Sequence, residues 1–227
     1  MVVDEALAKS PLFIDLPPEA YEVIPQASTR WSYRKGQKIF QKGDRGDALY
    51  IVLKGEVRIF RESMEGRPMI LAFLHPGDVF GEMSLVEDRP RSATAVAETE
   101  TEVLALFRDR YLNLLKRFPR LGHNIARIIA ARLREVNDEL LLFAFEEARV
   151  KVAFALLKLY RQRRGKPREE GWFIPVVHQE IANLAGTSRE TATRVVHELR
   201  DQGVLENVPG GLLLKDPEAL EKILYGL

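Results

Sequence analysis

A chain of 227 residues, 46% of them hydrophobic, has core material for one large domain or two ordinary ones. Its formal net charge of +1 excludes a general polycation, and the lack of cysteine excludes thiolate zinc fingers, cysteine-ligated iron–sulfur clusters and disulfides together. No run reaches the ~20 apolar residues that cross a bilayer, and Met1-Val2-Val3-Asp4-Glu5-Ala6-Leu7 is too acidic for a signal peptide, so a cytoplasmic protein is expected.

From about Asp4 to Ile24, apolar positions interspersed with prolines predict short helices. From Ala27 to Leu106 the texture changes to short apolar runs, among them Ala48–Leu53, Val57–Phe60 and Met69–Leu74, punctuated by glycines. Many short strands with glycine-rich turns indicate a β-sandwich or jelly roll. Within it, Phe80-Gly81-Glu82-Met83-Ser84 and Arg89-Pro90-Arg91-Ser92-Ala93-Thr94 concentrate the chemistry of a sugar-phosphate site. Glycine permits close backbone approach, successive N–H groups can surround an anion, Arg91 offers a bidentate guanidinium for phosphate, and Glu82 offers a carboxylate for ribose hydroxyls. A structural ion pair between Glu82 and Arg91, steadying a turn, is the alternative.

Near Arg108 the pattern turns helical and stays so to about Glu147, with Pro119 suited to a first turn. Ala126, Ile129, Leu133, Val136, Leu140 and Phe143 recur in alternating steps of three and four, the seam of a coiled coil. Leu121, Ile125, Ile128 and Leu142 form a second face suited to packing on the β-domain. A helix of roughly 28 residues would span about 42 Å, longer than a small domain usually buries. The seam therefore predicts a two-fold dimer; a helix buried in its own domain is the alternative.

Val150–Tyr160 reads as an amphipathic helix, and Arg161–Gly171 as a charged loop, solvated or available to a partner. His178–Ala185 reads as a short helix with Ile181, Leu184 and Ala185 inward, followed by Gly186 at the tight connection of a helix-turn-helix. Thr187 and Ser188 offer a capping hydroxyl for the next helix. From its N-terminal half project Arg189, Glu190 and Arg194, donors suited to guanine O6/N7 and an acceptor suited to cytosine N4. A solvated helix with an i,i+4 Glu190–Arg194 ion pair is the plainer reading. Gly203 ends this helix, and Val204–Val208 and Leu212–Lys215 around Pro209-Gly210-Gly211 form a hairpin, the wing of a winged helix. From Arg149 onward 13 Lys/Arg stand against 10 Asp/Glu, so DNA affinity must come from local placement and dimerisation rather than bulk charge.

These motifs, in this order from about Leu12 to Lys215, are similar to those of the cyclic-AMP receptor protein / fumarate-nitrate regulator (CRP/FNR) family. The resemblance implies an α+β protein with an N-terminal cyclic-nucleotide-binding β-roll (jelly roll) over 1–118, a dimerisation helix over 119–147 and a C-terminal winged helix-turn-helix over 148–227. It implies a homodimeric transcriptional regulator, not an enzyme, that binds double-stranded DNA at a TGTGA-like palindrome and contacts RNA polymerase. It matches Glu82 to the ribose 2′-OH and Arg91 and Ser92 to the cyclic phosphate. Gly81 becomes the close-approach residue with Met83 beside it, and Ile59, Leu71 and Leu74 the walls around the base.

Where members that bind cyclic AMP read adenine with a Thr-Ser pair on the dimer helix, this chain has Val136-Asn137. Asn137 can still bond a base edge, but Val136 cannot. Cyclic AMP, another nucleotide, or activity without an effector all remain open. Two rivals stand beside this reading. A metal-dependent cupin enzyme needs several His/Glu ligands in the β-domain, where His75 is the single histidine. A cyclic-nucleotide-binding regulatory subunit would not need the winged helix. A haem-linked sensor would rest on His75, which beside Pro76-Gly77 reads more simply as a turn residue.

Overall fold

The computed structural model describes residues 4–62, 68–162 and 164–225. Two compact units emerge, one comprising Met1–Arg61 and Leu71–Glu135, the other Glu62–Ile70 and Val136–Leu227. The first begins with α1 (Glu5–Lys9), a 3-10 turn (Pro11–Phe13) and α2 (Ala20–Gln26). Asp4 accepts from the Ala6 N–H and Ser10 from the Leu12 N–H, which is how such short pieces satisfy their first turns.

Eight strands follow: β1 (Thr29–Tyr33), β2 (Lys38–Phe40), β3 (Ala48–Lys54), β4 (Val57–Glu62), β5 (Pro68–Leu74), β6 (Val79–Phe80), β7 (Thr94–Ala97) and β8 (Thr101–Phe107), with α3 (Glu82–Glu87) between β6 and β7. They form two sheets, ordered β1-β8-β3-β6 and β2-β7-β4-β5. The unbroken apolar run of β3 has a simple cause: both of its faces are covered. Leu49 and Ile51 point into a helix-lined core with Leu12, Phe13, Ile24, Leu121 and Ile125. Ala48, Tyr50 and Val52 point the other way, into a core with Val57, Leu74 and Phe80. Strand β8 divides in the same way, Leu104 and Leu106 facing one core and Val103 and Ala105 the other.

The helical stretch begins with α4 (Arg108–Arg117), breaks at Phe118-Pro119, and resumes as α5 (Arg120–Phe145). Pro119 stands just before the first helical residue. The 26 residues of α5 span about 39 Å. Its N-terminal half is not free-standing, because Leu121, Ile125 and Ile128 belong to the helix-lined core. Compactness divides the chain inside α5, between Glu135 and Val136.

The second unit is built from α6 (Ala148–Arg161), α7 (His178–Ala185), α8 (Arg189–Asp201) and α9 (Pro217–Tyr225), with a sheet ordered β11-β12-β10-β9. Its strands are β9 (Lys166–Arg168), β10 (Gly171–Ile174), β11 (Leu205–Val208) and β12 (Gly211–Leu214). The expected wing is β11–β12. The expected charged loop over Arg161–Gly171 is corrected: part of it is β9, paired antiparallel to β10. Lys-Pro-Arg has no apolar alternation to announce a strand, and its fully exposed side chains fit an edge position. The Arg168 guanidinium lies 4.1 Å above the Phe173 ring, covering it.

Asn124 ties α5 to the N-terminal segment, its buried Nδ2 donating to Leu12 O at 2.9 Å and Ile14 O at 2.8 Å. Asn124→Ala strands both carbonyls and should destabilise the first unit by about 2–4 kcal/mol, read as a lowered unfolding midpoint in urea. An unchanged midpoint would contradict this tie.

Candidate functional site

The turn from β6 into α3 places the sugar-phosphate candidates together. Gly81 adopts the left-handed region at φ 76°, and a Cβ there would lie 2.6 Å from Arg91 Nη1, so only glycine lets the backbone and guanidinium approach this closely. Arg91 is 3% exposed. Its Nη1 donates to Gly81 O at 2.8 Å, and its guanidinium lies 4.3 Å over Phe40 and 5.4 Å over Tyr50. Burial depresses the Arg91 pKa, opposed by Tyr50, Asp47 and Glu82, whereas burial raises that of Tyr50. The aromatic faces thus shelter a cation that water no longer reaches.

Glu82 is 2% exposed, and its Oε1 accepts from Arg132 Nη1 of α5 at 2.6 Å. Arg132 also donates to the Val79 carbonyl. The structural alternative of a Glu82–Arg91 ion pair is thereby corrected: the carboxylate is taken by a residue fifty positions away, and Arg91 turns to a carbonyl and two rings. Glu82 Oε2 and Arg91 Nε are both buried without a hydrogen-bond partner among the described residues. Ser92 is exposed near Met83, Oγ to Sδ 3.9 Å. Ile59 and Leu74 join the inner core. Leu71 is 36% exposed and alternates to the opposite side of β5 from Ala72 and Leu74, which is at odds with its expected role as a wall. Asn137 is exposed on α5.

Along α5 the predicted seam separates into two kinds of position. Leu133, Val136 and Leu140 are exposed at 59%, 58% and 66%, and Ala126 is exposed as well. Ile129 instead is half-buried against the helix-lined core. The Phe143 side chain lies outside the described residues.

In the second unit, α7 ends at Gly186, φ 59°, whose N–H and that of Thr187 both reach Ala182 O. Ser188 then caps α8, accepting from the Thr191 N–H at 3.1 Å. Ala192, Val195, Val196 and Leu199 are buried, leaving Arg189, Glu190 and Arg194 exposed together at the helix start. The expected Glu190–Arg194 pair is corrected: Arg194 pairs with Glu198 at 2.6 Å. Glu190's own backbone N–H, the Ser188 hydroxyl and Arg189 hold its carboxyl below the usual range, so at neutral pH it is an acceptor only. Sequence reasoning missed Arg132, Phe40, Tyr50 and the His178–Thr193 contact described below. None carries a local motif, and only the fold brings them to these sites.

Removing Arg132 leaves a buried carboxylate unpaired. Arg132→Ala should therefore cost about 1–3 kcal/mol of stability, most of it recovered when Glu82→Gln is added. Additive losses in that double-mutant cycle would contradict the pairing.

Comparison with known proteins fits this geometry. The cyclic nucleotide-binding domain family matches residues 30–118, and the Crp-like helix-turn-helix domain family matches residues 150–223. The chain is 48% identical over 218 residues to the cyclic AMP receptor protein of Thermus thermophilus, covering 96% of this chain and 98% of that one. It is 31% identical over 224 residues to the CRP-like cAMP-activated global transcriptional regulator of Mycobacterium tuberculosis, covering 97% and 99%. Among solved structures, the Thermus thermophilus catabolite activator protein aligns over 96% of this chain and 100% of its own, with 48% identity and a TM-score of 0.57. The c-di-GMP responsive regulator CLP of Xanthomonas campestris aligns over 87% and 99%, with 26% identity and a TM-score of 0.76. A nucleotide-binding β-domain followed by a Crp-like helix-turn-helix, matched along nearly the whole chain, makes this protein a DNA-binding transcriptional regulator of the CRP/FNR family.

Proposed function

We propose that two copies of the chain join along α5, read a TGTGA-like palindrome, and take cyclic AMP as the effector. One observation carries the reading. Arg132 holds the buried Glu82, and the very next residue, Leu133, is the first strongly exposed leucine of the seam. A ligand that engages Glu82 thereby acts on the same turn of α5 that meets a second copy. Differential affinity for two arrangements of the paired helices is then enough to shift the reading heads.

The residues fit a cyclic nucleotide. Glu82 has one free buried oxygen for a ribose hydroxyl, Arg91 a buried Nε and Ser92 an exposed hydroxyl for phosphate, and Gly81 the space for close approach. The relatives named for cyclic AMP support this choice. A second reading, binding without any effector, is favoured by Val136, which offers no hydrogen bond to a base and sits with Leu133 and Leu140 in the exposed seam. The TGTGA preference rests on Arg189, Glu190 and Arg194. Two-fold symmetry then sets the half-sites about 34–36 Å apart, one helical turn. The bound dimer would engage RNA polymerase.

Operator affinity of the purified protein should rise about 100-fold on saturation with cyclic AMP, a difference of about 2.7 kcal/mol. High affinity unaltered by the nucleotide would replace this account with the effector-free one. In the same assay Arg189→Ala should cost about 1–3 kcal/mol at the palindrome and flatten the preference at one base position. Unchanged preference would remove Arg189 from the reading role.

A further inference from the structure

Two histidines meet where the helices of the reading unit come together. His178, the first residue of α7, is half-buried, and its Nδ1 lies 2.9 Å from Thr193 Oγ1 of α8. The exposed ring of His197, also on α8, stands edge-on to it with centroids 6.2 Å apart. His197 follows Arg194 by three residues and so continues the exposed stripe that Arg189, Glu190 and Arg194 begin. Neither histidine is used by the base-reading chemistry above.

The charged groups facing His178 from α8 are His197 and Arg189. On its own helix the nearby Glu180 is paired with Arg164 at 3.0 Å. Of the acids of α8, Glu198 is engaged by Arg194 and Asp201 by Arg200, while Glu190 stands ionised at the start of the stripe beside Ser188 and Arg189. Burial first, then His197 and Arg189, hold His178 below the ordinary imidazole value. The free protein thus keeps this ring neutral at physiological pH, in a cationic setting that a polyanion would reverse.

We infer that His178, with the His197 ring beside it, forms a proton-linked grip on the DNA backbone at the flank of the reading helix. The inference rests on α7 and α8 being the DNA-reading pair. In that arrangement the first helix crosses the backbone while the second lies in the groove. A side chain that starts the first helix and touches the exposed stripe of the second sits at that crossing. Protonated, both imidazole nitrogens donate: Nδ1–H bonds Thr193 Oγ1, and Nε2–H is left for a phosphate oxygen. A His178 ring that charges on binding takes up one proton, so affinity rises as pH falls through the imidazole range.

The test is fluorescence anisotropy at constant ionic strength, with saturating cyclic AMP, on a TGTGA palindrome and a shuffled duplex. The wild type should bind the palindrome about tenfold more tightly near pH 6 than near pH 8, the change expected when about half a proton is taken up on average over those two pH units, as for one imidazole that titrates within the range. The His178→Gln/His197→Gln variant should match wild type near pH 8 and show no gain near pH 6. A flat wild-type profile, or a variant that keeps the wild-type slope, would overturn the proposal. Should the double variant fail to fold, His197→Gln, altered at an exposed position, must by itself lessen the slope, and an undiminished slope there overturns it too. Failure of the operator reading looks different: equal affinity for the palindrome and the shuffled duplex at every pH.

Discussion

Helix α5 presents two apolar faces to one chain, and among the described residues only the first is covered. Leu121, Ile125 and Ile128 are locked into the core beneath β3 and β8, which fixes the helix's rotation about its own axis. With that rotation set, Leu133, Val136 and Leu140 have no choice but to face outward. Burying side chains of this size recovers about 1.5–3 kcal/mol each when complete. A second identical helix is the cover proposed for them, because alternating steps of three and four match a coiled-coil seam. The geometry proposed for DNA reading depends on this constraint, since two heads can address a palindrome only if something sets their separation.

The same helix explains how chemistry in the β-domain could matter at a distance. Glu82 is buried and would be costly without a partner, and the partner comes from α5 rather than from its own turn. Arg91 is sheltered by Phe40 and Tyr50, so the cation is held in place at the site instead of being drawn out to water. The reading unit, by contrast, keeps its functional groups on the surface. With a net charge of only +1, the proposed DNA reading would rely on where Arg189 and Arg194 stand and on a second copy.

Much of this was legible in the residues alone. Strands β3 and β8 announced themselves as short apolar runs, the Phe80-Gly81-Glu82 turn by its glycine, the helix-turn-helix by Gly186 and the capping Ser188, and the seam by its period. What escaped lay in non-local pairing. Arg132 is fifty residues from Glu82 with no pattern linking them. Strand β9 is three exposed residues that exist as a strand only because β10 lies beside them. The seam period could not tell that Ile129 packs against its own core while Leu133 does not, because four residues advance a helix only about 40° past a full turn. Helix α9 has a start signal in Asp216-Pro217, and Asp216 accepts from the Ala219 N–H.

The central claim is that the exposed seam of α5 joins two copies and thereby sets the reading heads. Sedimentation equilibrium of the wild type beside a Leu133→Asp/Leu140→Asp variant, with palindrome binding measured on both, tests it most directly. The account predicts a dimeric wild type and a folded monomeric variant that loses about 100-fold or more in affinity for the palindrome, while its weak affinity for a single half-site is retained. A monomeric wild type with full operator affinity, or a variant that remains dimeric, would contradict it.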